Sequence, residues 1–114
     1  MKLSLIALCL VTAACATLSC NRSMSLDSSE LAKCMTRKGI KLYSLDDCSA
    51  CEMQKSLFGV GFGYLKVVNC SDEEKREECF LQEIRSVPAW RRPDGGKLAG
   101  VHGLGALAEW SGCR

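Results

Sequence analysis

The sequence predicts an α/β domain built on a four-stranded mixed sheet with helices on both faces. Three observations lead there. Helical and strand-like apolar patterns alternate in the order α-β-α-β-α-β-β-α from about residue 30 onward. In the first half, short apolar strands flank a helical stretch, and such a βαβ unit requires parallel strands covered on both faces. In the second half, Pro93-Asp94-Gly95-Gly96 separates two strand-like segments at hairpin distance, so the last pair runs antiparallel. The chain has 114 residues, enough for one small domain.

The first residues are set apart. Met1-Lys2 precedes an apolar run, Leu3 to Leu18, and a polar stretch, Ser19 to Ser29. A short basic start, an apolar run and small residues near its end describe a secretory signal. The run is short for a spanning helix, which needs about 20 apolar residues; an uncleaved anchor is the alternative. We therefore expect a signal peptide at residues 1–19, a polar linker at 20–29 and the folded domain at 30–114, exported to a periplasmic or extracellular space. Cleavage after Ser19 would leave Cys20 at the new N-terminus, where a lipid tether is a minority alternative. The residue three before it is Thr17, not the aliphatic one that a bacterial lipoprotein signal prefers.

At the start of the domain, Asp27-x-x-Glu30 has a cap-like spacing, with Ser28 and Ser29 as equal alternatives for the cap, and Leu31, Cys34 and Met35 fall on one helical face. Lys38-Gly39 ends that helix. Ile40 to Leu45 is a short buried strand. A helix follows from about Cys48 to Phe58, with Met53, Leu57 and Phe58 as its expected inner residues, and Gly59 to Gly63 breaks it. Tyr64 to Val68 is a second strand. Ser71-x-x-Glu74 is a capping box for a third helix with Cys79, Phe80 and Ile84 turned inward. Val87-Pro88-Ala89-Trp90-Arg91 and Lys97 to Gly100 are the hairpin strands, and Leu104 to Trp110 is a last helix. Trp90, Trp110, Tyr43, Phe58 and Phe62 read as packing residues, with a place beside the cysteine pair as the alternative for Phe62.

Chemistry concentrates at Cys48-Ser49-Ala50-Cys51. A strand, a two-residue loop and a helix beginning at the first cysteine put that sulfur among unpaired N–H groups at the positive end of the helix dipole. A thiolate there is stabilised and becomes a nucleophile near neutral pH. We read Cys48 as the attacking sulfur and Cys51, one turn on, as the resolving one. A structural bridge and half of a metal site are the competing roles. Zinc would want four Cys or His ligands, and His102 is the only histidine. Copper(I) needs only soft sulfurs, so a copper-binding or delivery module is the second reading. The chain holds nine cysteines. Cys9 and Cys15 lie in the signal, and beyond Cys20 six remain, which allow 15 connectivities. The net charge of +2 points to no nucleic-acid partner.

These segments carry a resemblance. Leu31-Ala32-Lys33-Cys34, Lys38-Gly39-Ile40-Lys41-Leu42-Tyr43, Gln54-Lys55-x-Leu57-Phe58-Gly59, Val67-Val68-Asn69-Cys70, Val87-Pro88-Ala89-Trp90 and Leu107-Ala108-Glu109-Trp110-Ser111-Gly112-Cys113, with the Cys-x-x-Cys pair, resemble the thioredoxin-like domains that accompany or are fused to vitamin K epoxide reductase-type membrane proteins. The resemblance runs from about residue 30 to the end. It implies a minimal thioredoxin-like fold, a catalytic set of Cys48, Cys51 and a cis-Pro88 facing them, and a structural bridge between Cys70 and Cys79. Cys34 and Cys113, on the terminal helices, are read as a second bridge; for each of these bridges a free buried thiol is the alternative, and Cys70–Cys79 has a further one, electron shuttling with the active pair. Two departures matter. Asp47 stands where the family usually has an aromatic residue, and Ser49-Ala50 replaces its frequent Pro-His. Carboxylates at Asp46 and Asp47 oppose a neighbouring thiolate, so a more reducing pair is expected than in strong oxidants.

The implied activity is protein thiol–disulfide exchange through Cys48 and Cys51, with no cofactor and no resident metal. Substrate proteins bearing thiols or disulfides and a membrane quinone-linked oxidoreductase are the implied partners of a monomer. Oxidase, reductase and isomerase directions share this chemistry.

Overall fold

The computed structural model describes residues 26–114. The expected signal peptide, Cys9, Cys15, Cys20 and most of the polar linker lie outside the described residues. Helix α1 (Ser28–Arg37) starts inside the stretch read as linker, because Asp27 caps it. The Asp27 carboxylate accepts the N–H groups of Ser29 at 2.9 Å and Glu30 at 3.4 Å, which satisfies two of the helix's orphan donors. At the far end the Lys38 N–H returns to the last-turn carbonyls. Gly39 then takes φ +80°, and a Cβ there would meet Pro93 at 2.8 Å.

Strand β1 (Lys41–Ser44) is the centre of the sheet. It pairs in parallel with β2 (Lys66–Asn69) and antiparallel with β3 (Ala89–Arg91), which pairs with β4 (Lys97–Ala99). The order is β2-β1-β3-β4, a mixed four-stranded sheet. Helix α2 (Ser49–Phe58) and a 3₁₀ segment (Gly59–Tyr64) carry the chain from β1 to β2. Between β2 and β3 lie a short 3₁₀ turn (Glu73–Lys75) and helix α3 (Arg76–Leu81); helix α4 (Leu104–Ser111) ends the fold.

Alternation along β1 divides the core in two, as a strand period of two demands. Leu42 and its partner Trp90 point to one side, where Leu31, Ala32 and Met35 of α1, Phe58 of α2 and Leu107 and Ala108 of α4 pack with them. Trp90 is wholly buried and meets Phe58 with ring centroids 5.9 Å apart. Burying its ~200 Å² is worth roughly 5 kcal/mol. Tyr43, Val68 and Ala89, which pair across the strands, point to the other side, against Cys79 of α3. Helices therefore cover both faces.

Under α3, Glu78 ties the helix to β1. Its carboxylate accepts from the Lys41 ammonium at 2.8 Å and the Tyr43 hydroxyl at 3.0 Å. The Lys41 ammonium, helped by the Tyr43 hydroxyl and opposed by partial burial, holds the Glu78 carboxyl below its ordinary range. Burial, with Glu78 beside it, pushes the Tyr43 hydroxyl up to about 12, so it stays a donor throughout the neutral range. Because the folded Glu78 pKa is depressed, its contribution is present above the unfolded value near 4.3 and is lost as pH falls through the folded one. Lys41 and Glu78 are partly solvated, which keeps the pair near 1 kcal/mol. Glu78→Gln is thus expected to lose about 1 kcal/mol in urea melts at pH 7, with the gap closing in acid; a gap undiminished at pH 3 would refute the assignment.

Several expectations are corrected. Met53 and Leu57 of α2 are exposed, and the inner positions are Cys51, Gln54 and Phe58. Phe80 is 79% exposed, while Ile84 does pack inward, against the Tyr43, Val68, Cys79 and Ala89 cluster, from a position beyond the end of α3. The capping box at Ser71 does not form. Asp72 opens the 3₁₀ turn without a side-chain cap, while the Ser71 hydroxyl accepts the Asp46 N–H at 2.9 Å. Tyr64 belongs to the 3₁₀ segment, and β2 starts two residues later.

Candidate functional site

The C-terminal end of β1 leads directly to the cysteine pair. After Ser44 the chain turns through Leu45 to Asp47, all exposed. Asp47 has φ +54°, a left-handed conformation that aspartate tolerates better than most residues. That turn delivers Cys48 as the N-cap of α2, with extended backbone at φ −120° and ψ 105°. The Glu52 N–H reaches the Cys48 carbonyl at 3.1 Å. The Cys48 sulfur accepts the Cys51 N–H at 3.1 Å, the place an Asp or Ser oxygen takes at an ordinary N-cap. The sulfur therefore sits against an orphan donor at the positive end of the helix.

Cys48 and Cys51 are joined in a disulfide, with Cα atoms 5.2 Å apart. Cys48 is half-buried and Cys51 is 8% exposed. A cavity of about 260 Å³ opens beside Cys51, lined among others by Asp46, Glu52, Lys55, Phe62 and Asn69. Phe62 thus lies beside the site, and the Lys55 ammonium rests over its ring, 5.4 Å from the centroid.

The turn before Cys48 is tied to the segment after β2. The Cys70 N–H donates to the Ser44 carbonyl at 2.7 Å. The Asn69 side-chain amide donates to the Asp46 carboxylate at 3.0 Å and accepts the Ser71 N–H at 2.9 Å. Cys70 forms a disulfide with Cys79 of α3, Cα atoms 6.0 Å apart. Cys34 of α1 is joined to Cys113, just past α4, at 5.9 Å.

Pro88 follows a cis peptide bond from Val87 and is fully buried. Continuing the register Tyr43↔Ala89 by one step sets Pro88 opposite Ser44, at the sheet end from which the Cys48 turn departs. Its carbonyl is not free for a peptide, since the Gly100 N–H takes it at 2.8 Å. The residue that reaches the sheet end with its backbone outside the strand pairing is Val87.

Gln54 joins the site by hydrogen bonding rather than by any chemistry of its own. It is the buried polar residue of α2, with no exposed surface. Its amide nitrogen donates to the His102 carbonyl at 2.9 Å, and its carbonyl oxygen accepts the His102 N–H at 2.8 Å and the Trp90 indole N–H at 3.3 Å. One side chain thus fastens the cysteine helix to β3, two residues past Pro88, and to the segment joining β4 to α4. A glutamine three residues after the second cysteine is the signal available in sequence: on a helix that places both on one face.

The chain matches no known family model. Among the described residues, no helix is long and apolar enough to cross a membrane.

Proposed function

We propose that the chain is an exported thiol–disulfide oxidoreductase of minimal thioredoxin-like fold, acting through Cys48 and Cys51. The observation that carries this is the Cys48–Cys51 disulfide at the N-cap of α2, with Cys48 half-buried and its sulfur accepting the Cys51 N–H, at the sheet end that the cis-proline Pro88 also reaches. A structural bridge has no need of a sulfur aligned with a helix dipole.

In the oxidising direction, a substrate thiolate attacks the Cys48 sulfur. The Cys48–Cys51 bond breaks, Cys51 leaves as thiolate and the Cys51 side accepts a proton. A second substrate thiolate then attacks the substrate sulfur of the mixed disulfide and releases Cys48. Two thiols are oxidised to one disulfide, and the pair gains both electrons. The reducing direction is the reverse. On loss of the proton, the Cys48 thiolate is stabilised by the Cys51 N–H and the helix end. Reoxidation of the pair falls to a membrane quinone-linked partner, as the resemblance to vitamin K epoxide reductase-associated domains implies. Buried Pro88 keeps the space beside the sulfurs free of competing donors, and Val87 offers its backbone to an extended peptide.

Cys51→Ala is the test. It removes the resolving sulfur, so Cys48 is expected to hold its partners in mixed disulfides that dithiothreitol releases, while Cys48→Ser holds none. Equal yields of trapped species from both variants would overturn the assignment.

A further inference from the structure

Helix α2 presents a face that none of the described residues covers. With Cys51, Gln54 and Phe58 turned inward, a period of 3.6 residues sets Met53 and Leu57 on one outer flank and Glu52, Lys55 and Ser56 on the other. Met53 is 57% exposed, Leu57 44%, and Val60, just past the helix, 85%. This apolar stripe begins one turn from Cys48. Cys48 to Leu57 spans about 14 Å along the axis, the length of four or five residues of extended chain. The two flanks differ in their neighbours: Glu52 and Lys55 border the cavity at β2, whereas Gln54 bonds to Trp90 and His102 on the β3 side, so the stripe lies toward Pro88.

At the same end of α2, on the flank opposite the stripe, Asp46, Asp47 and Glu52 are all exposed. They line one cavity with a single cation, Lys55, which leaves that rim net negative. We infer that the α2 stripe and this acidic rim form the docking surface for partner segments in which the reacting cysteine is flanked by basic residues and followed by apolar side chains. The inference rests on the exchange chemistry proposed above and names its substrate class. Charge decides among occupants. A second copy docked face to face would set Asp46, Asp47 and Glu52 against their own kind, and an anionic lipid surface would be repelled. A cationic, apolar polypeptide gains from both parts of the surface, with its thiolate carried to Cys48 by the same field that opposes acidic competitors.

The test uses the oxidised full-length protein and three cysteine peptides of equal length: lysine-flanked, neutral and glutamate-flanked, each with leucine downstream. Reduction of Cys48–Cys51 is followed by stopped-flow. The lysine peptide is expected to react about tenfold faster than the glutamate one at low salt, with the ratio approaching one near 1 M salt, where the screening length falls to about 3 Å. The ratio is expected to collapse in D46N/D47N/E52Q. Replacing the downstream leucine with glycine is expected to slow wild type several-fold and M53S/L57S much less. Equal rates for all three peptides would overturn the docking surface and leave the exchange chemistry standing. No reaction with any peptide would overturn the exchange chemistry itself. Faster reaction of the glutamate peptide would reverse the assigned charge and also overturn the inference.

Discussion

Serine at both Cys34 and Cys113 is expected to lower stability by about 4–5 kcal/mol, the largest single loss available to this fold outside its tryptophan core. The bridge closes a separation of 79 residues, nearly the whole described domain. Cutting it restores to the unfolded chain the freedom of a long loop, which in the chain-entropy model grows with the logarithm of loop length. Cys70–Cys79 closes a separation of 9 residues and by the same model contributes about 2–3 kcal/mol. The long bridge also holds α1 to α4: Leu31, Ala32 and Met35 pack with Leu107, Ala108 and Cys113 on one sheet face. Thermal melts of the double variant should shift down by on the order of 20 °C. A shift under about 5 °C would mean that packing alone holds the terminal helices. The Cys48–Cys51 bridge should behave oppositely. It closes a separation of 3 residues and constrains little, so its reduction should change melting far less than loss of Cys34–Cys113.

How far the fold could be read in advance depends on which force sets each residue's orientation. Strands were legible because each has an apolar pair at its centre (Leu42-Tyr43, Val67-Val68, Ala89-Trp90, Leu98-Ala99) in a short segment bounded by turn residues, and Leu42 and Tyr43 had to face opposite sides whatever they met. Cys48 was legible because its position between a strand and a helix fixes its role as a cap. The phase of α2 was not. Met53 and Leu57 are apolar and four apart, and so are Gln54 and Phe58 in spacing; the choice between the two faces is made by a polar partner, the His102 backbone, that no helical periodicity contains. The phase of α3 was hidden for a related reason. Cys79 must face Cys70, and a residue 100° further round the helix, Phe80, is thereby turned outward. Ser71 shows a competition between equal uses of one hydroxyl: a helix start three residues from Glu74, or the Asp46 N–H brought near by the sheet. The sheet contact won.

Gln54→Leu is the substitution on which these accounts of α2 part most sharply. By helix patterning it should be neutral or better, since it places an apolar residue on a face that already holds Cys51 and Phe58. From the hydrogen bonds it should be costly. Leucine would leave the His102 N–H and carbonyl and the Trp90 indole N–H facing an apolar side chain. Each buried group left unpaired costs about 1–3 kcal/mol, less where water can reach it. His102 is partly exposed but Trp90 is wholly buried, so a total of about 2–4 kcal/mol is expected from denaturant melts. Gln54→Glu keeps the acceptor oxygen but removes the amide donor and introduces a charge with no cation in contact, so it should be no better. Ser56→Ala, on the solvent side of the same helix, serves as the control and should stay within about 0.5 kcal/mol. The loss should also reach the site. With the tie to Trp90 and His102 gone, α2 keeps the Phe58–Trp90 contact with β3 but loses the hydrogen bonds that fix its cysteine end relative to that strand. Reaction of Cys48 with a peptide thiol should therefore slow, while its reaction with a small thiol, which needs no docking, changes less. A Gln54→Leu protein as stable as wild type would mean that water replaces the amide at no cost, and that the glutamine does not position the cysteine helix.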